Sequence, residues 1–183
     1  IGALRRLPLR LRRLFIQAYQ SYLFNRFLSE RMKREIPLTR IQIGDYLMSI
    51  GEEGLPTGRF LEVEENNPHW ASSMLREGKA ALALPLVGFD QKLSGGLQGE
   101  IEREILEKEG IQPRDFKVEK MLEASVRGGL RRALAPVMNF KFVTMPGDEG
   151  SVAKFSFMLH RGTYATVVMR EFLKPSDPAE QGF

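Results

Sequence analysis

Residues 13–34, RLFIQAYQSYLFNRFLSERMKR, form a long aromatic and basic segment with a helical period. Apolar side chains recur every three or four positions, and neither Gly nor Pro interrupts the pattern before Pro37. This spacing predicts one amphipathic helix with a broad apolar face. Its polar side chains leave two interpretations open: a core helix with hydrogen-bonded amides, or a helix that positions a neighbouring site. The apolar stripe is Ile16, Tyr19, Leu23 and Phe27, and the polar residues among the aromatics are Gln17, Gln20, Ser21 and Asn25.

The bulk composition indicates a folded protein without thiol chemistry. The 183 residues are 43% hydrophobic and 27% charged, which is typical of globular proteins. The absence of Cys excludes disulfides, zinc–thiolate sites and thiol catalysis, and two His residues argue against a His-rich metal site. No 18-residue apolar run and no secretory signal occur, so we expect a cytoplasmic protein without a membrane span. The first residue is Ile, so we expect a trimmed or processed chain, or part of a longer protein.

Positive charge is concentrated at the N-terminal end. The net charge is +4, but residues 1–40 hold ten Lys or Arg against two Glu, which leaves the remainder net acidic. Such asymmetry suggests an anionic partner, with nucleic acid the first candidate and an acidic membrane surface the second. A solvated basic helix face is the simpler alternative.

Beyond the first helix, strand-like and helical periods alternate. Short strands are expected within 38–64, 80–87, 140–143 and 153–159, and helices at 67–78, 97–110 and 163–175. Asn67-Pro68 is a typical helix start, and Trp70 in its first turn is expected to be packed. The order helix, strands, helix, strand, helix, strands, helix predicts an α/β (α+β) fold, with a mixed sheet covered by helices.

Two loops carry residue types that could serve chemistry. Asp45 follows Gly44, which is typical of a turn. Glycines at 88, 95, 96 and 99 precede a helix and could cradle a phosphate, but they match neither the Walker nor the dinucleotide spacing. The glutamates at 100, 102 and 104 would repel an anion there. The pattern favours a flexible surface loop with exposed glutamates.

A third loop is basic. Arg127, Arg131 and Arg132 flank Gly128-Gly129 ahead of a strand, which is typical of a phosphate contact but equally of a solvated hairpin. No nucleophile elbow or metalloprotease helix motif occurs. The residues alone therefore indicate a basic-ended α/β protein whose first candidate partner is nucleic acid.

Two segments resemble the TruD family of tRNA pseudouridine synthases, particularly its archaeal members. They are residues 18–32, AYQSYLFNRFLSERM, and residues 156–175, SFMLHRGTYATVVMREFLKP. Between them, IGDYL at 43–47 and RGGLRRAL at 127–134 follow in the family's order. The resemblance covers essentially the whole chain.

The resemblance implies a domain organisation and an activity. In that family an inserted α/β domain, the TRUD domain, interrupts a pseudouridine synthase catalytic domain. Residues 1–13 would be a linker or short helix, 14–150 the insertion, 151–174 a strand and helix of the catalytic domain, and 175–183 a tail. The family isomerises a uridine of tRNA, classically at position 13, without cofactor or metal, after flipping the base out of the RNA stack.

The sequence departs from the family where its chemistry begins. The family's essential Asp lies upstream, in a Lys-Asp segment followed by Thr and Gln, and neither that segment nor the Asn–Gln-Arg-Phe-Gly region has a match here. We therefore predict that this segment has no catalytic residue and no synthase activity alone, and that it clamps RNA for an N-terminal catalytic half in the same polypeptide. The Asp residues in contexts unlike the family's are Asp45, Asp90, Asp115 and Asp148.

The RNA-binding candidates come from two places, and none is a metal ligand. The family motif implies residues on the catalytic-domain side of an RNA cleft, although Arg170 could equally pair with a carboxylate; the basic loop supplies candidates on the inserted domain. The expected partner is tRNA and not a membrane. A non-catalytic module that grips structured RNA, and an interaction domain whose basic helix packs on a protein, remain alternatives. The motif candidates are Arg161, Gly162, Tyr164 and Arg170, and the loop candidates are Arg127, Arg131 and Arg132.

Overall fold

The computed structural model describes residues 2–147, 150–178 and 180–182. Helices and strands alternate along them, with two short 3₁₀ segments at Pro113–Phe116 and Glu119–Ala124. The helices are α1 (Gly2–Arg5), α2 (Leu9–Lys33), α3 (Pro68–Arg76), α4 (Gly96–Glu109) and α5 (Ala165–Leu173), and the strands are β1 (Tyr46–Ile50), β2 (Pro56–Glu62), β3 (Ala80–Leu86), β4 (Gly129–Arg132), β5 (Met138–Gly147) and β6 (Gly150–Met158).

Helix α2 confirms the helix expected over 13–34 and begins one turn earlier, directly after Pro8. Pro8 is the N-cap residue, and the N–H that proline lacks would have no partner within the helix at this position. The apolar face of α2 buries Leu23, Phe24 and Phe27 in the main core, where Leu84 of β3 and Ile101 of α4 also lie. The long helix is therefore held by tertiary packing of its apolar face.

Four strands form one sheet in the order β2-β1-β3-β4. Leu47 of the inner strand β1 lies opposite Leu61 on one side and Leu82 on the other. The α+β class is confirmed, but the expectation of a mixed sheet was wrong, because every pairing among the described strands is antiparallel. A tight hairpin joins β1 to β2, and such a short connection permits only antiparallel pairing.

The two middle helices match their sequence signals. Helix α3 begins at Pro68, and α4 ends at Gly110, whose φ of 68° is left-handed as a glycine C-cap requires. Trp70 was expected to be packed, which is wrong: its side chain is 55% exposed, and the neighbouring Ala71 is the buried residue. The alanine packs with Leu47 in a second core cluster.

The chain divides into two compact units, residues 1–134 and 135–183. In the second unit β5 pairs with β6, and Phe172 of α5 stacks on Phe140 with ring centroids 5.0 Å apart. The sequence-based boundary at 150/151 falls after the first residue of β6 and so separates that strand from its partner β5. The family assignment of residues 135–150 stays a prediction. Asp148 lies outside the described residues. Within the described part, no helix has the length and apolarity needed to cross a membrane.

Candidate nucleic-acid interface

A groove of about 580 Å³ opens on the first unit, between α2 and the segment 125–131. We call it the basic groove, because three arginines line it: Arg13 from α2, and Arg127 and Arg131 from the other wall. All three are exposed. Two of the three loop arginines predicted from sequence are thus brought together, and α2 adds a third that sequence reasoning had placed only in a general basic region.

The polar residues of α2 serve both of the roles that the sequence left open. Gln20 is buried, and its Nε2 donates to the Val87 carbonyl oxygen at 2.6 Å, which ties α2 to the end of β3. Gln17, Gln20 and Ser21 all line the basic groove. These side chains therefore do two things: the Gln20 amide hydrogen-bonds a main-chain carbonyl of the core, and the Gln17 and Ser21 side chains give the groove a polar wall.

Backbone contacts position the opposite wall. The Phe89 N–H donates to the Val126 carbonyl at 3.2 Å, and the Asp90 N–H donates to the Arg127 carbonyl at 3.0 Å. Gly128, at φ +88°, packs so closely on Gln91 that an added Cβ would lie 2.6 Å from the Gln91 Cβ. Only glycine permits this close approach at a positive φ. The segment that carries Arg127 is therefore held by the main chain.

The groove arginines are held in different ways. The Arg131 guanidinium lies 5.2 Å from the ring centre of Phe24, a cation–π contact, and its Nη1 lies 3.4 Å from the Ser21 hydroxyl oxygen. Arg127 forms an exposed ion pair with Asp90, with Nη2 2.8 Å from Oδ2. The Arg13 Nε donates to the Glu123 carbonyl at 2.9 Å. These contacts orient the arginines and leave further N–H donors on each guanidinium.

Arg132 does not join them. It is the neighbour of Arg131 on β4, and successive side chains of a strand point to opposite faces. Its Nη1 donates to the Gly54 carbonyl at 3.3 Å, its Nε is buried, and burial lowers the pKa of its guanidinium. The sequence grouped Arg131 with Arg132, and the alternation of the strand separates them.

The four motif candidates lie in the second unit. Arg161 and Gly162 form an exposed turn, with Gly162 at φ +89°. Tyr164, 71% exposed, precedes the first residue of α5, and Arg170 lies in its last turn, half-buried. Their role in RNA binding stays a prediction.

A buried polar network was missed by the sequence analysis. Arg31 of α2 is fully buried and pairs with Asp45, with Nη1 2.6 Å from Oδ1 and Nη2 2.8 Å from Oδ2. The Arg31 Nη1 also donates to Gln98 Oε1 at 3.1 Å, and Gln98 Nε2 donates to Glu102 at 2.9 Å. Asp45 still accepts the Gln42 N–H as a turn aspartate does, but its main partner is the arginine.

Glu102, expected to be exposed, is instead fully buried. Burial raises the pKa of Glu102 to about 7. Hydrogen bonds from the Ser94 backbone N–H, the Ser94 hydroxyl and the Gln98 amide act in the opposite direction and lower this pKa, but burial is the larger effect. The segment 94–99 is therefore packed and is not a flexible surface loop, since Ser94 before α4 and Gln98 and Gly99 in its first turn are buried. Because this network is closed to solvent, it supports the fold and offers no surface to a ligand.

A signal for this network was present in the sequence. Arg31 follows Phe27 by four residues and so continues the apolar stripe of α2. Residues at this spacing share one helix face, which predicts that the Arg31 cation faces the core. Elsewhere, among residues 2–147, 150–178 and 180–182, no three His, Asp or Glu side chains come together as metal ligands would. The basic groove is thus the surface feature of the first unit best suited to an anionic ligand.

The known proteins that this chain resembles share one family description. The family model described as tRNA pseudouridine synthase D (TruD) matches residues 1–172. Proteins named "Probable tRNA pseudouridine synthase D" from Methanopyrus kandleri and Methanococcoides burtonii are 42% and 35% identical over 94% of this chain. A crystal structure described as "Putative tRNA pseudouridine synthase D (TruD)" from Methanosarcina mazei superposes with a TM-score of 0.90 at 34% identity, over 98% of this chain and 41% of that one. The chain spans 35% and 40% of the lengths of the two curated relatives.

Proposed function

Because this chain belongs to the TruD family of tRNA pseudouridine synthases, we propose that it is the RNA-binding part of an enzyme that converts a uridine of tRNA, of the position 13 type, to pseudouridine. The observation that carries the proposal is the basic groove. Three exposed arginines converge there from α2 and residues 125–131, on a wall that also offers amide and hydroxyl groups. Arginine suits phosphate because its planar guanidinium donates two parallel hydrogen bonds.

The same proposal places the catalytic aspartate outside these residues. Asp45 is fully buried against Arg31, Asp90 pairs with Arg127, and Asp115 accepts the N–H of Gln112 at 2.7 Å in a local turn. A carboxylate that starts chemistry on a flipped base must reach the base directly. The buried and turn positions of Asp45 and Asp115 do not suit that role, so this segment is proposed to hold RNA while another part of the enzyme acts on it.

The decisive experiment is a pseudouridine assay on tRNA with two proteins: the 183-residue chain and a full-length protein that contains it. We expect the full-length protein to form pseudouridine and the segment alone to form none. A full-length protein that binds tRNA and leaves every uridine unchanged would exclude the enzymatic proposal. Synthase activity of the segment alone would show that its catalytic residue lies within it.

A non-catalytic RNA-binding module is the second candidate, favoured by the same groove. It shares with the first the expectation that tRNA binding weakens as salt rises, because Lys and Arg displace counterions from phosphates. The two are distinguished by the assay, since a binding module leaves uridine intact at saturating protein. A tRNA affinity that stays constant between low and physiological salt would exclude phosphate binding by the groove, and with it both candidate functions.

A further inference from the structure

We infer that three arginines of the basic groove, Arg13, Arg127 and Arg131, form a binding site for a phosphate of the RNA backbone, which we call the phosphate seat. Asp90 stays paired with Arg127 until a phosphate displaces it. The inference rests on the proposed RNA-binding function. It adds a specific set of contacts: two arginines, Arg13 and Arg131, that are already oriented, and one, Arg127, that must exchange its partner.

The oriented part of the seat consists of Arg13 on α2 and Arg131 on β4, which packs against α2. Arg131 lies over the Phe24 ring and beside the Ser21 hydroxyl, and Arg13 is fixed through its Nε by the Glu123 carbonyl. The contact of Arg13 with Glu123 uses Nε, so the terminal nitrogens of Arg13 remain able to donate to a phosphate. The Glu123 carboxylate pairs with a different arginine, with Arg12 Nη1 2.6 Å from Oε1.

The exchangeable part of the seat is the Arg127–Asp90 pair. Two guanidinium nitrogens contact Asp90 Oδ2, at 2.8 Å and 3.0 Å, while the side chains are 78% and 56% exposed. An ion pair so exposed stabilises the fold little, so its loss on binding RNA costs little. Both donors converge on one carboxylate oxygen, and a phosphate offers two oxygens to the same two donors. Asp90 therefore acts as an internal stand-in for the anion.

Only a side chain has to move for the exchange. The backbone of Asp90 and Arg127 stays joined by the hydrogen bond from the Asp90 N–H to the Arg127 carbonyl. The seat is thus preorganised, which lowers the entropy lost when RNA binds. It also follows that the Asp90 charge opposes RNA, which leads to an unusual expectation: removing an ion pair should strengthen binding.

The test measures tRNA affinity of the full-length protein across a salt series, for Asp90→Asn and Arg131→Gln. We expect Asp90→Asn to bind tRNA about two- to fivefold more tightly, the range that matches release of one surface ion pair. We expect Arg131→Gln to bind about tenfold more weakly, as loss of a charged hydrogen bond implies. Its slope of log affinity against log salt should also fall by about 0.7 to 0.9.

Glu104→Gln is the matched control for Asp90→Asn. It also removes one negative charge and breaks an exposed pair with an arginine, Arg34, at 2.7 Å, but neither residue lines the groove. If both variants bind tRNA more tightly by the same factor, the cause is a general charge effect, and the proposed phosphate seat is wrong. Weaker binding by Asp90→Asn would mean that Asp90 orients Arg127 for RNA, which also contradicts the exchange.

The outcomes separate this inference from the proposed function. If the full-length protein forms pseudouridine but Arg131→Gln binds tRNA with unchanged affinity and salt slope, the seat is wrong and the enzymatic proposal stands. If the variants behave as expected while no pseudouridine forms, the seat stands and the enzymatic proposal fails. Thermal melting of each variant shows whether it is folded, which is expected because all three substituted side chains lie at the surface.

Discussion

Arg31 occupies the place where the apolar stripe of α2 would continue, and the fold supplies Asp45 to neutralise it. Both side chains are fully buried. Burying two charges is costly in itself, and the geometry compensates through two direct hydrogen bonds and a third to Gln98. The pair joins the end of α2 to the start of β1, so it sets how those two elements meet.

The first prediction concerns this pair. Asp45→Asn or Arg31→Met should each lower the free energy of unfolding by about 3–5 kcal/mol, because the remaining partner is left charged and buried. Urea unfolding of the isolated chain measures the loss. Glu104→Gln, which breaks an exposed pair, should leave the urea midpoint nearly unchanged. A small effect at Asp45 would mean that Arg31 finds another acceptor in the core.

The second prediction is a pH dependence at Glu102. Its pKa is raised from 4.5 to about 7 in the folded chain, mainly by burial, so the folded state keeps a proton that the unfolded state loses. Stability from this group is complete below about pH 4.5 and is lost as the pH rises through 7. The loss should approach about 3 kcal/mol.

Glu102→Gln removes the titration and serves as the comparison. The difference in unfolding free energy between the wild-type chain and this variant, followed from pH 4.5 to 8, isolates the contribution of Glu102 from other groups. We expect the wild type to lose stability relative to the variant across this range. A constant difference would show that Glu102 stays ionised, held by its hydrogen bonds from Ser94 and Gln98.

At the level of elements, the start of β1 and the start of α4 meet backbone to backbone. The Gly95 N–H donates to the Gly44 carbonyl at 2.8 Å, and the Gly44 N–H donates to the Val63 carbonyl at 2.6 Å. Gly44 has φ +90°, and a Cβ there would overlap the Gly95 main chain. Gly44 lies in the turn that the sequence predicts, whereas Gly95, which sequence reasoning assigned to a flexible surface loop, instead allows helix and sheet to approach closely.

The third prediction follows from that contact. Gly44→Ala combines an unfavourable backbone conformation with a main-chain clash, so it should cost more than the roughly 1–3 kcal/mol of a strained φ alone. Gly58→Ala is the control, because Gly58 has φ +82° but open space around its Cβ position. The difference between their urea midpoints measures the close approach itself. Equal losses would show that α4 shifts to make room.

Element boundaries were predictable where a local signal exists. Pro68 and Gly110 mark helix ends through main-chain chemistry confined to a few residues, and the period of α2 defines its buried face. Strand partners were not predictable in this way. The antiparallel order β2-β1-β3-β4 depends on contacts between distant segments, such as Ala83 with Arg132, which no local pattern encodes.

At the scale of the whole molecule, the charge asymmetry of the sequence is partly cancelled by folding. Of the ten cations in residues 1–40, four pair with acidic residues from later in the described chain. Those arginines support the structure and have less charge to offer a ligand. Net charge by segment therefore overstates the basic surface. The four pairs are Arg12–Glu123, Arg26–Glu109, Arg31–Asp45 and Arg34–Glu104.

The fourth prediction concerns how stability is distributed. Every buried apolar side chain among the described residues lies at or before position 124, while β5, β6 and α5 bury none. In the isolated 183-residue chain, amides of β3 and α4 should exchange with solvent only on global unfolding, and amides of β5 and β6 much sooner. Hydrogen exchange followed by mass spectrometry tests this. Equal protection of both regions would contradict it.

The sequence by itself determined the helical period, the α+β class, the concentration of positive charge and the family, because each rests on residue type and short spacing. The tertiary structure alone decided which arginines remain available. Arg31 finds Asp45 14 positions away, Arg131 reaches Ser21 110 positions away, and Arg132, next to Arg131, contacts Gly54 instead. Hydrogen-bond and ion-pair partners form through space, and the segment 13–34 acquires its basic groove only when residues 125–131 fold against it.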